Sequence, residues 1–124
     1  MPMPTKNISK HKYKLLAVSY TIWLTTVSLT PLDGFNLPSF SYADKIVHFF
    51  LYFFLTVFWL KAYPNLWNRK LAFIILVILW GVIIEFLQEN FVPGRHGDIF
   101  DALANTTGGI VGLLFYHYVA RSGA

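Results

Sequence analysis

Residues 85–112 read EFLQENFVPGRHGDIFDALANTTGGIVG, between LAFIILVILWG (71–81) and the overlapping IVGLLFYHYVA (110–120). Glu85, Gln88, Arg95, Asp98, Asp101 and Asn105 thus stand inside or beside the most apolar stretches of the chain. An ionisable side chain at bilayer depth costs several kcal/mol unless it faces a bundle interior, a partner or water, so such residues mark a site. The stretch predicts a membrane protein with one polar site, not a soluble domain with an odd core.

Composition agrees. Of 124 residues, 56% are hydrophobic and only 13% charged, against about a quarter charged in soluble domains. The absence of Cys excludes disulfides, thiol nucleophiles and thiolate metal sites. Twelve Phe, seven Tyr and four Trp fit a protein solvated by lipid. The net charge of +4 could point to nucleic acid, but the charges are distributed as in a membrane protein and no nucleic-acid partner is expected.

Four hydrophobic stretches define one domain, residues 1–124, with spans at 13–30, 44–61, 70–91 and 98–120. Each approaches the roughly 20 residues that a helix needs to cross a hydrocarbon core. Pro31, Gly34 and Pro38 break the chain after the first, Pro64 and Asn65 after the second, and Pro93–Gly94 after the third. Only a helix satisfies its own backbone in lipid, so the fold class is all-α and polytopic. Lys6, Lys10, Lys12 and Lys14 resemble the start of a secretory signal, but Leu29–Thr30–Pro31–Leu32 lacks a small-x-small cleavage pattern. The first stretch therefore reads as an uncleaved span.

With both termini in the cytoplasm, Lys6, Lys10, Lys12, Lys14, Lys61, Arg69, Lys70 and Arg121 share that side, leaving Lys45 and Arg95 on the other. This bias sets orientation. Asp33, Asp44, Glu85, Glu89, Asp98 and Asp101 then all fall in the outer half.

Depth and face select the candidate site. At about 1.5 Å per residue, Glu85 lies roughly 9–10 Å below an outer helix end at Phe91, and Asn105 descends to a similar depth from Asp98. Asp44, His48 and Tyr52 make one helical stripe; Gly81, Glu85 and Gln88 make a second. Asp98, Asp101, Asn105, Gly108 and Gly112 make a third, and the glycines permit close helix approach. Carboxylates outnumber the basic partners, so the excess charge must be met by protonation, a bound cation or water. Arg95 can grip a carboxylate or phosphate bidentately. His48 can share a proton or a metal with Asp44.

These residues resemble the VanZ-like family of small bacterial membrane proteins. The carrying elements are Asp44-Lys45-x-x-His48-Phe49, Glu85-x-x-Gln88 and Pro93-Gly94-Arg95, followed by Asp98, Asp101, Asn105, Gly108 and Gly112 at family spacing. Helix one matches only as a generic span. The resemblance implies a bacterial inner (cytoplasmic) membrane location and a link to teicoplanin resistance, the phenotype of the family's name-giving member. It implies no reaction.

The expected ligand-binding residues are Asp44, Lys45, His48, Glu85, Gln88, Arg95, Asp98, Asp101 and Asn105. A binder or modulator of the outer leaflet would use them on an envelope lipid, a lipid-linked cell-wall precursor or a glycopeptide. A membrane hydrolase or transferase would draw its acid–base groups from His48, Glu85, Asp98 and Asp101. No HExxH and no Gly-x-Ser-x-Gly elbow is present, no cofactor is identified, and a divalent cation fits the donor types. Ion movement lacks a relay toward the cytoplasm. A structural lock, in which the lysine and arginine hold the acids and nothing binds, remains the alternative to all three.

Overall fold

In the computed structural model, which describes residues 5–31, 41–94 and 98–120, every described element is helical. Helix α1 is Thr5–Ser28, α2 Ser41–Ala62, α3 Lys70–Phe91 and α4 Ile99–Phe115. A 3-10 turn, Pro64–Arg69, joins α2 to α3, and a π turn, Tyr116–Ala120, continues α4. Pro64 opens the 3-10 turn, where its missing N–H costs nothing. Gly94, with φ of 78°, supplies the left-handed backbone after α3. Asp98 caps α4, its side chain accepting the Phe100 N–H at 2.9 Å.

Among the described residues, three helical stretches are long and apolar enough to cross a membrane: Asp44–Ala62, Pro64–Phe91 and Ile99–Val119, with mean hydropathies of 1.5, 2.5 and 1.3. Most of their surface points away from the bundle, and the outward residues include Leu71, Leu76, Phe86, Ile99 and Phe100. A soluble monomer does not keep so much contiguous apolar surface in water. Helix α1 has the length but not the hydropathy. Its lysines and the run of Ser and Thr from Ser19 to Ser28 dilute the apolar residues.

The core gathers Leu24, Tyr52, Leu55, Leu60, Phe73, Ile74, Val77 and Tyr116. Helix α2 packs most extensively on α4, and glycine explains why. A Cβ at Gly108 would fall on the Phe49 carbonyl, and one at Gly112 would lie 2.7 Å from the Phe53 carbonyl oxygen. The two backbones therefore touch, as small-xxx-small patterns allow in lipid. The pairs advance in the same direction along both helices (Lys45 with Asp101, Phe49 with Gly108, Phe53 with Gly112), so α2 and α4 run parallel. Helix α1 is tied on by polar bonds: Tyr20 Oη donates to the Leu51 carbonyl at 2.5 Å and Trp59 Nε1 to Thr21 Oγ1 at 2.8 Å.

The two ends of the bundle differ chemically. At the end holding the α2–α3 connection, Lys70 lies 4.7 Å from the Trp67 ring centroid and Lys14 5.2 Å from that of Tyr63, while His117 stacks on Trp67 at 4.7 Å. Basic and aromatic groups in such contact are characteristic of a headgroup-level belt. The other end, where α2 and α4 begin and α3 finishes, carries the acids.

Candidate functional site

At the acidic end, the close α2–α4 contact fixes which side chains meet. Lys45 Nζ donates to Asp101 Oδ1 at 2.5 Å and to Asp98 Oδ2 at 2.9 Å, with Asp44 Oδ2 at 3.8 Å. Asp101 is buried, and Lys45 keeps 24% of its side chain exposed. Asp98, which caps α4 outside the apolar stretch, is held below the usual carboxylate range by the Lys45 hydrogen bond and the Phe100 N–H.

One turn further along α2, His48 meets Asn105, with Nδ1 3.0 Å from the Asn105 Oδ1. The amide oxygen can accept only from Nδ1–H, and in the neutral ring that tautomer carries its lone pair on Nε2. Nε2 faces Asp44 Oδ1 at 3.6 Å and Asp101 Oδ2 at 3.9 Å. One ligand atom from each of Asp44, His48 and Asp101 lies within 4.8 Å of the others, a grouping that can hold a metal ion.

Helix α3 contributes Glu85. Its Oε2 accepts the Asp98 backbone N–H at 3.1 Å, joining the end of α3 to the start of α4. Its Oε1 is buried without a hydrogen-bond partner, 3.9 Å from His48 Nδ1. The Tyr52 hydroxyl, one turn below His48, is likewise buried without a partner.

Asp44, Lys45, His48, Glu85, Asp98, Asp101 and Asn105 thus converge. Gln88 does not join them: its Nε2 donates to the Ser28 carbonyl at 2.7 Å and ties α3 to α1. Arg95 lies outside the described residues. Tyr52, whose buried hydroxyl lies beside this layer, is a further candidate that the expected ligand-binding residues did not include. The signal was there, since Tyr52 completes the Asp44–His48 stripe at the next turn.

The bundle also has a groove of about 690 Å³, lined by residues that include Trp59, Leu66, Phe73 and Trp80, with Arg69 at the basic end. It lies toward the other end from the polar cluster and is a separate feature.

An apolar helical bundle with polar groups gathered at one end defines a membrane protein. The VanZ/LLP1 family matches residues 3–120, and the chain belongs to that family. An uncharacterised protein of Schizosaccharomyces pombe, C11E3.10, is 33% identical over 79 residues, which are 60% of this chain and 48% of that protein. The chain spans about half the length of that curated relative. No solved structure matches.

Proposed function

We propose that the acidic end is an outward-facing binding site for the polar headgroup of an envelope lipid or lipid-linked cell-wall precursor, and that occupancy lowers teicoplanin susceptibility. In this reading α1 adds a fourth span over residues 13–30, the termini are cytoplasmic and the membrane is a bacterial inner membrane. The exposed Leu15, Ile22 and Trp23 of α1 support contact with lipid, and the basic residues at the opposite end support the orientation.

One observation carries the proposal. Three helices bring charged and amide side chains to one layer of an apolar bundle, yet a buried Glu85 oxygen has no hydrogen-bond partner there. A lock would satisfy its own members, because an unpartnered buried polar group costs free energy. A site awaiting a ligand leaves donors and acceptors open.

The same oxygen, beside the His48 ring, also supports a second reading, a hydrolase or transferase acting on a lipid-linked substrate with His48, Glu85, Asp98 and Asp101 as acid–base groups. Conservative changes separate the two. Glu85→Asp and His48→Asn should weaken a binder by degrees and abolish nearly all turnover of a catalyst.

A sensitive host producing the wild-type protein should survive a higher teicoplanin concentration than the same host with Glu85→Gln at equal membrane abundance. Equal susceptibility of wild type and empty host would contradict the resistance part of the proposal. Loss of Glu85→Gln from the membrane would instead assign Glu85 to the structural lock.

A further inference from the structure

The geometry points to a divalent transition-metal site at Asp44 Oδ1, His48 Nε2 and Asp101 Oδ2, through which the cluster takes a phosphate-bearing headgroup. The first argument is how the carboxylates divide. Lys45 draws Asp101 by Oδ1 and lies nearest Asp44 at Oδ2. The other oxygen of each, Asp101 Oδ2 and Asp44 Oδ1, faces His48 Nε2. With Nδ1–H engaged by Asn105, three lone pairs converge. At 3.6 and 3.9 Å the contacts are too long for hydrogen bonds. Donor atoms that share one ion at about 2.0–2.2 Å stand roughly 3–4 Å apart, so small side-chain shifts close the set on a cation.

The second argument starts from Glu85, which is not one of those three residues. Glu85 is 7% exposed and its Oε1, aimed at the His48 ring, has no hydrogen-bond partner. Asp44, Asp98 and Asp101 stand around Lys45, the one lysine or arginine seen among them in the described residues, and Glu85 adds a further carboxylate beside the Asp98 backbone N–H. A divalent ion supplies the missing positive charge without needing a second buried lysine.

Donor chemistry narrows the ion. One imidazole with two carboxylates suits Zn²⁺ or Mn²⁺ better than the all-oxygen preference of Ca²⁺ or Mg²⁺. Asn105 then plays the outer-shell role of holding the imidazole by its other nitrogen. Three protein ligands leave a coordination position open, where a phosphate oxygen can bind. An acidic cluster alone would repel that anion. This part rests on the headgroup reading above; the ion itself rests only on the side-chain geometry.

Metal content is the test, read on the detergent-purified full chain before lipid is added. Wild type incubated with Zn²⁺ or Mn²⁺ and desalted should retain about one ion per chain, and Asn90→Ala, a change on the exposed surface of α3, should retain the same. His48→Ala and Asp101→Asn should each weaken retention by at least tenfold. Because either variant could simply unfold, bound Mn²⁺ in the wild type supplies a further readout. Its pulsed electron paramagnetic resonance should show the nitrogen coupling of one imidazole. Failure of wild type to retain either ion, full retention in His48→Ala, or bound Mn²⁺ without nitrogen coupling would each overturn the metal site. Phosphatidylglycerol retention is then compared with and without chelator. Loss with chelator supports the bridging role; unchanged retention by an ion-loaded protein overturns the bridging role and leaves the ion in place.

Discussion

Gly108→Leu is expected to leave almost no folded protein in the membrane, a loss of more than about 4 kcal/mol, the range reserved for severe core disruption. A Cβ at this position would fall on the Phe49 carbonyl oxygen, with the Phe49 carbonyl carbon 2.8 Å away. Backbone cannot rotate aside as a side chain can, so α2 and α4 must separate, and separation pulls Asp101 and Asn105 away from Lys45 and His48. Even Gly108→Ala should be severe. Gly112→Ala should be milder, since its nearest atom is the Phe53 oxygen at 2.7 Å. Gly109→Ala should be mildest, because its new methyl meets the Val77 side chain at 3.2 Å. Detergent-solubilised yield and thermal melting measure the order directly. Equal damage at Gly109 and Gly108 would mean that α4 presents a different face to α2.

Lys45→Met is expected to destabilise the bundle by about 2 kcal/mol. Removing one partner of a fully buried ion pair costs about 3–5 kcal/mol. The smaller figure applies because Lys45 is 24% exposed and the Asp98 side chain 41% exposed, so water reaches the carboxylates left behind. Asp101 carries most of the effect, since it is buried and loses its 2.5 Å partner. Adding Asp101→Asn to Lys45→Met should restore part of the stability, a coupling that a double-mutant cycle reads. Lys45→Arg should not substitute freely, because a planar guanidinium cannot occupy the place of a compact ammonium shared by two aspartates. Additive losses in the cycle would mean that Lys45 and Asp101 do not interact in the folded protein.

Much of the acidic end was legible because helical periodicity puts chemistry on faces. The stripes through Asp44–His48–Tyr52 and Asp98–Asp101–Asn105 are the ones that meet, and Gly108 and Gly112 continue the second stripe into the backbone contact that joins them. Lys45 was harder to place. One residue past Asp44, it read only as one of two basic residues on the outer side, but 45, 48 and 52 also lie within one helical face, and α4 supplies two aspartates on that side. Gln88 shares a stripe with Glu85, yet the Ser28 carbonyl claims its amide. No periodicity in α3 could announce that bond, because it depends on where α1 docks. The sequence of α1, with apolar residues broken by Ser and Thr, carries little pattern to predict docking from. The Glu85 contact with the Asp98 N–H was also out of reach, since it depends on how the connection after α3 returns the chain.

A lipid headgroup held at the acidic end, as proposed, can be read by native mass spectrometry of gently solubilised protein. Wild type should carry a phosphate-bearing envelope lipid into the spectrometer, and Glu85→Gln with an unchanged melting temperature should carry at least tenfold less. The same lipid at the same occupancy in both proteins would contradict the account and leave the cluster as a device for holding four helices together.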